Sequence, residues 1–190
     1  MGASEDDSGD FLLGEEGDDE LDGGAGHDFL DGGEGRDRLF GQAGNDTLLG
    51  GGGTDIIHGG ADDDDISGGD ENDFLYGDEG DDLVHGDRGD DYIVAGLGAN
   101  DRVFGDSGFD FLVQTVDADQ TLTDTTLSGQ GLTHLDGIER VALTGAPGDN
   151  TFDVSGYTGV AYLDGAGGTD RVASSNNADF TLSDWNLRRS

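Results

Sequence analysis

Twelve aspartates stand in one register along the first part of the chain: Asp10, Asp19, Asp28, Asp37, Asp46, Asp55, Asp64, Asp73, Asp82, Asp91, Asp101 and Asp110. Each follows the last by nine residues, apart from one step of ten. Carboxylates in such number offer two kinds of chemistry. A pair can serve as general acid and base, or the oxygens can ligate a cation. The regular spacing favours ligation, since a catalytic dyad needs one pair and not a series. With no cysteine and only four histidines, the chain suits a hard, oxygen-seeking ion such as Ca²⁺. His27, His58, His85 and His134 do not cluster, and no Ser-His-Asp or His-x-x-x-His spacing occurs. They read as packed or solvated side chains, and the chain reads as a non-enzyme.

The elements that must position these aspartates follow from the residues around them. From Gly14 the chain runs in nines: GEEGDDELD, GGAGHDFLD, GGEGRDRLF, GQAGNDTLL, GGGGTDIIH and onward to Val113. Aspartate is always sixth, and the eighth residue is always Leu, Ile or Val, from Leu12 to Leu112. Glycines at positions one and four permit φ > 0, so the first six residues can turn tightly. Positions seven to nine then form a short strand whose middle side chain points inward. Two repeats make one coil, and the next coil stacks about 4.8 Å away. Stacking sets each aspartate over its counterpart two repeats on. Two carboxylates at ~4 Å repel by roughly 1 kcal/mol in water and about 4 at an effective dielectric of 20. A divalent cation between them reverses the sign, and turn carbonyls complete its oxygen shell.

The frame has departures. One extra residue, placed at Ala95, interrupts it. Asp62 and Glu71 replace the fourth glycine, Ala99 does so after Ala95, and Glu5 and Ser8 replace both glycines of the first copy. Those turns are expected to be distorted or to bind calcium weakly. Asp28, Asp37, Asp46 and Asp55 have intact turns.

The nonapeptides over Glu5–Val113 resemble the repeat-in-toxin (RTX) family, whose calcium repeat has the form G-G-x-G-x-D-x-U-x. The resemblance implies a right-handed parallel β-roll, multiple Ca²⁺ ions bound between turns, and secretion to the cell exterior or surface. Six turns on each of two edges leave about ten interior sites.

Residues 5–113 are thus read as an all-β calcium-binding β-roll (β-solenoid), and residues 114–190 as a second, β-rich segment that could extend the solenoid. Beyond Val113 the nonapeptides stop, and Thr, Val and Leu predict strands at Thr121–Thr123, Val141–Thr144, Thr151–Val154, Val160–Leu163 and Phe180–Leu182. A shift of sixty residues brings Gly105 onto Gly165, Gly108 onto Gly168, Asp110 onto Asp170, and ADQTLTD (118–124) onto ADFTLSD (178–184). Asp170 therefore joins the candidate metal ligands. GAPGDN (145–150) keeps the glycine spacing of a calcium turn, with Asn150 sixth. Such blocks resemble those of large bacterial surface proteins, which implies a piece of a longer protein. Trp185, in a Thr-rich region, reads as core rather than as a carbohydrate platform.

Composition narrows the function further. Forty-four acidic and eight basic residues give a net charge of −36. Nucleic acid is excluded as a partner, because phosphate binding needs clustered Lys and Arg. Membrane insertion is not expected, since no segment is long and apolar enough, and Met1–Asp10 has no apolar run for a signal peptide. One outer side of the roll should carry Arg38, Phe40, Ile56, His58, Phe74, Tyr76, Tyr92, Val94, Phe111 and Val113, a continuous apolar strip. Phe40, Ile56, Phe74, Tyr76, Tyr92, Val94 and Phe111 are candidate interface residues, covered either by the C-terminal segment or by a second copy of the chain. Two functions fit: a calcium-rigidified structural or adhesive module of a secreted surface or filament-forming protein, or the folding and export module of a secreted hydrolase such as a protease or lipase.

Overall fold

The computed structural model describes residues 8–115, 118–129, 131–174, 179–182 and 188–189. Among them there is no helix, and the strands stack into a parallel β-solenoid. One sheet takes Phe11–Leu13, Phe29–Glu34, Thr47–Gly52, Asp65–Asp70, Leu83–Arg88 and Arg102–Phe104. The other takes the alternate strands Glu20–Ala25, Arg38–Ala43, Ile56–Ala61, Phe74–Glu79, Tyr92–Val94 and Phe111–Thr115. Like repeat positions lie side by side: Leu30 pairs with Leu48, Leu39 with Ile57 and Ile57 with Leu75. The chain thus passes from sheet to sheet every nine residues, and the eighth-position residues fill the space between. Leu30, Leu39, Leu48, Ile57, Ile66 and Leu75 are wholly buried. Their neighbours at positions seven and nine are half-buried or exposed, as a period of two requires.

Most strands of the nonapeptide region are six residues long, not three. The parallel pairing resumes after position one and runs through positions two and three. A corner at position two, where φ is positive, lets it do so. Gly33 (φ 94°) and Gly51 (φ 104°) adopt this geometry easily, and Gln42, Asp78 and Asp87 adopt it as non-glycine residues.

At Asp62 and Glu71 the expected distortion does not occur, while Glu5 of the first copy lies outside the described residues. Asp62 (φ 79°) and Glu71 (φ 84°) take up the left-handed backbone of the glycine they replace, and Asp64 and Asp73 after them are as buried as in the intact turns. The extra residue is also not Ala95. Ala95 stacks on Gly77 at position one, Gly96 on Asp78 and Gly98 on Gly80. The added residue lies in the turn itself, where the N–H groups of both Ala99 and Asn100 bond to the Asp81 carboxylate. Ala99 therefore does not replace the fourth glycine; Gly98 holds that place.

The C-terminal segment continues both sheets. Arg140–Thr144 pairs in parallel with Phe111–Thr115, followed by Val160–Asp164 and Asp179–Leu182. In the other sheet Leu132–Asp136 pairs with Arg102–Phe104, and an antiparallel meander leads through Thr126–Ser128 to Gln120–Thr123. Thr151–Gly156, Arg171–Ala173 and Arg188–Arg189 then extend it in parallel. All five predicted strands are present; the strands at Thr126–Ser128, Leu132–Asp136, Arg171–Ala173 and Arg188–Arg189 were not predicted. Trp185 lies outside the described residues. The sixty-residue offset carries a strand across the solenoid: Phe111–Thr115 and Arg171–Ala173 lie in opposite sheets.

Position four shows how tightly coils stack. A Cβ on Gly35 would lie 1.9 Å from the Gly17 carbonyl oxygen, whereas a Cβ on Gly17, at the end of the stack, would meet nothing within 4 Å. Both glycines have positive φ. Gly17→Ala should therefore cost about 1–2 kcal/mol, for backbone conformation alone. Gly35→Ala should cost roughly 3 kcal/mol or more, because backbone must move. Thermal unfolding of the calcium-loaded variants checks this; equal losses would mean that the coils do not stack as described.

Candidate metal ladders and the aromatic face

Each sixth-position aspartate ends a turn and precedes a strand, so stacking places these side chains in two ladders, one per edge. The links between rungs are hydrogen bonds. The Asp10 N–H donates to Asp28 Oδ1 (2.7 Å), Asp28 to Asp46 (2.7 Å), Asp46 to Asp64 (2.8 Å), Asp64 to Asp82 (3.0 Å) and Asp82 to Asp101 (3.2 Å). On the other edge the same bond joins Asp19 to Asp37 (2.8 Å), Asp37 to Asp55 (2.8 Å), Asp55 to Asp73 (2.8 Å), Asp73 to Asp91 (2.9 Å) and Asp91 to Asp110 (3.0 Å). Ten bonds span the ten gaps between coils. The structure thus brings all twelve predicted residues into the two ladders, and places Asp170 further along the solenoid.

The second oxygen of these carboxylates is the orphan. From Asp19 to Asp110, every sixth-position Oδ2 is buried with no hydrogen-bond partner. Burying a polar group unpaired is costly, and burying a charge far more so. The surroundings are oxygen-rich: a Cβ on Gly23 would lie 2.5 Å from Asp28 Oδ2 and 2.9 Å from the Gly41 carbonyl oxygen. Position one is glycine because the carboxylate lies against its Cα. Among the described residues no three His, Cys, Asp or Glu side chains converge. A cation here would hold one or two carboxylates and complete its shell with backbone carbonyls. That donor set is all oxygen and suits Ca²⁺.

Burial raises the pKa of the sixth-position carboxylates from Asp37 to Asp110. Asp64 and Asp73, mid-ladder, are pushed up to about 8 by desolvation, and further by carboxylates of neighbouring coils. Asp82 and Asp110 reach about 7; Asp46, Asp55, Asp91 and Asp101 reach about 6; Asp37 is also raised. The N–H bond to Oδ1 works the other way but is outweighed.

Two further features were missed in the reading of the sequence. Position five forms a second ladder of opposite polarity. Its side chains accept N–H groups from the next coil, as Asp18 does from Arg36 (3.1 Å), Asp63 from Asp81 (2.9 Å) and Asn72 from Asp90 (3.0 Å). The only signal was the excess of Asp and Asn there. Glu139 is the other. Its Oε2 accepts the Asp110 N–H at 3.0 Å, continuing one ladder after the nonapeptides stop.

His27, His58 and His85 serve coil-to-coil ties. His58 Nδ1 lies 2.9 Å from Asp78 and His85 Nδ1 lies 2.9 Å from Asp106, while His27 accepts the Asn45 N–H at 2.8 Å. Ser67 Oγ donates to Asp87, not to a histidine.

The predicted apolar strip lies on the outer side of the sheet that contains Phe74. Phe40, His58 and Tyr76 stack nearly parallel, with centroids 5.6 and 4.3 Å apart. The row continues through Tyr92 and Phe111 and reaches Tyr162 in the C-terminal segment, 5.9 Å from Phe111. Ile56 and Val94 flank it, half-buried, and Phe74 is 42 % exposed. The described C-terminal strands add to the end of this sheet and do not lie over its face. Where the rings stack in parallel, their faces meet one another and their edges point outward.

The titration of the ladders has a direct consequence. Folded-state values of about 6 to 8, against an ordinary value near 4, mean that the metal-free roll binds more protons than the unfolded chain between these limits. Its stability is greatest below pH 4 and is lost as pH rises through 6 to 8. Calcium competes with the same protons. Metal-depleted protein should show more β-structure by circular dichroism at pH 5.5 than at pH 8, and the calcium midpoint should fall as pH rises from 6 to 8. Equal β-structure in the metal-depleted protein at the two pH values would overturn the raised values of the ladder carboxylates.

A family model described as RTX calcium-binding nonapeptide repeat (4 copies) matches residues 6–39, 31–66, 58–93, 67–100 and 94–112. These matches overlap end to end across both ladders and cover more than half of the chain. No curated protein and no solved structure gave a significant match. The ladder geometry and the family match agree over the same residues: the chain belongs to the RTX calcium-binding nonapeptide-repeat family.

Proposed function

We propose that the chain is a calcium-folded structural module of a secreted surface or filament-forming protein. One observation carries this: buried carboxylates, each with one oxygen bonded to the neighbouring coil and the other without a donor. Asp10, Asp19, Asp28, Asp37, Asp46, Asp55, Asp64, Asp73, Asp82, Asp91, Asp101 and Asp110 are the proposed side-chain ligands. Ions in all ten gaps would reduce the charge from −36 to about −16 by simple addition. Nothing else in the composition can offset that charge, so metal binding and folding become one event. The RTX repeat is a calcium-binding motif and not a catalytic one, and His27, His58 and His85 are engaged in structural contacts. RTX repeats are typical of secreted bacterial proteins, where calcium is plentiful.

Self-association through the aromatic face gives such a module its use. The strip exists only once coils stack, because each coil contributes one or two of its rings. Calcium therefore creates the surface and, by lowering the charge, permits two copies to approach. The reading as an export module of a hydrolase needs no such surface.

Two measurements test the proposal. In EGTA the N-terminal part should read as coil by far-UV circular dichroism and turn to β-structure with millimolar Ca²⁺, while calorimetry finds about ten ions; one or two ions would sink the ladder model. Light scattering should show that calcium folds the chain and then oligomerises it. Replacing Phe74, Tyr76 and Tyr92 with Ser should block oligomers and leave the calcium-induced β-structure intact. A wild type that stays monomeric at high concentration would rule out self-association.

A further inference from the structure

Two turns beyond the last nonapeptide, residues 145–150 and 165–170, rebuild the same cradle from different residues. We propose that they form one more calcium site, weaker than those of the repeats, with Asp170 and Asn150 as its side-chain ligands. It rests on the reading of the ladders as calcium sites, but on none of the residues that the family model matches, which end at 112.

Three of the bonds between coils recur. The Asn150 N–H donates to Asp170 Oδ1 at 2.8 Å, as Asp28 does to Asp46. The Thr169 N–H donates to Asp149 Oδ1 at 2.7 Å, which repeats the position-five ladder. Gly145 N bonds to the Asp164 carbonyl as Gly14 N bonds to that of Asp31, both at 2.8 Å. In the second of these turns Ala166 (φ 61°) and Gly168 (φ 95°) take the left-handed backbone of positions two and four, whereas Ala146 and Gly148 in the first do not. A Cβ on Gly165 would lie 2.1 Å from Asp170 Oδ2, and one on Gly145 would lie 2.4 Å from Asn150 Oδ1. The independent sign of a ligand is burial without a partner: Asp170 is 1 % and Asn150 5 % exposed, and both of these oxygens lack a donor.

Two differences set the site apart. Its rungs are twenty residues apart, not eighteen, and the meander from Gln120 to Asp136 separates it from Asp101, whose carboxylate takes a hydrogen bond from Thr133 instead. A carboxamide replaces one of the two carboxylates, so the site offers one negative charge where a repeat gap offers two. Calcium affinity follows ligand charge. The site should be at least about tenfold weaker than the repeat gaps and should fill last.

Calorimetric titration of the full chain with Ca²⁺ decides the matter. Wild type should show a tight class and one weaker ion. Asp170→Asn should lose that ion and keep the tight class. Asn150→Asp should draw it into the tight class. If Asp170→Asn unfolds the C-terminal segment, Asn150→Asp alone is decisive, since it adds charge and removes nothing. An unchanged weak class in Asn150→Asp, or the same stoichiometry in Asp170→Asn, overturns the site. A wild type that binds no calcium overturns the ladder reading instead.

Discussion

A row of buried like charges opposes the fold that creates it. From Asp28 to Asp110 each sixth-position aspartate is wholly or almost wholly out of water, stands beside another in the neighbouring coil, and has one buried oxygen with no hydrogen-bond donor. Every hydrogen-bonded rung between coils therefore also brings two carboxylates together. The core cannot easily outweigh this, because each repeat contributes a single inward Leu, Ile or Val. Protons relieve the conflict at low pH, hence the raised values of Asp64 and Asp73. A divalent cation relieves it at neutral pH and uses the orphan oxygen as well. Calcium dependence follows from this arrangement of charge.

The tolerance of the turns has the same origin. A regular nonapeptide turn combines two things: a left-handed backbone at positions two and four, and room at position one for the aspartate. Asp62 and Glu71 meet the first without being glycine, at some conformational cost. Ala95 at position one breaks the second, and its turn has a residue more, with Asp101 reached by the longest rung on its edge, 3.2 Å. Beyond the nonapeptides the cradle reappears at Asn150 and Asp170 with other spacing. The rung between coils and the oxygen packed against the position-one glycine, and not the nine-residue count, are what recur.

The outer faces are free of these demands, since positions seven and nine point away from both core and ladder. One sheet uses that freedom to line up Phe40, His58, Tyr76, Tyr92, Phe111 and Tyr162. Core and ladders make the roll; the faces are left to say what it meets. A surface that depends on coil stacking ties any such contact to calcium.

Much of this was legible in the sequence because a solenoid turns sequence period into spatial neighbourhood. A nine-residue register, two to a coil, is enough to place Leu39 beside Ile57 and Asp37 beside Asp55 without knowledge of the rest. The ladders, the core and the aromatic strip all follow from that one rule. The rule fails where spacing is no longer regular. Ala95 and the turn at Ala99 and Asn100 can be aligned in two ways on paper, and only backbone stacking chooses between them. Glu139 lies twenty-nine residues from Asp110 and meets it because the intervening chain leaves as a meander in the other sheet. Asp110 and Asp170 match in sequence yet precede strands in opposite sheets. Periodic contacts are local in the repeat and can be read from it; contacts across an insertion depend on where the chain returns, which only the folded structure decides.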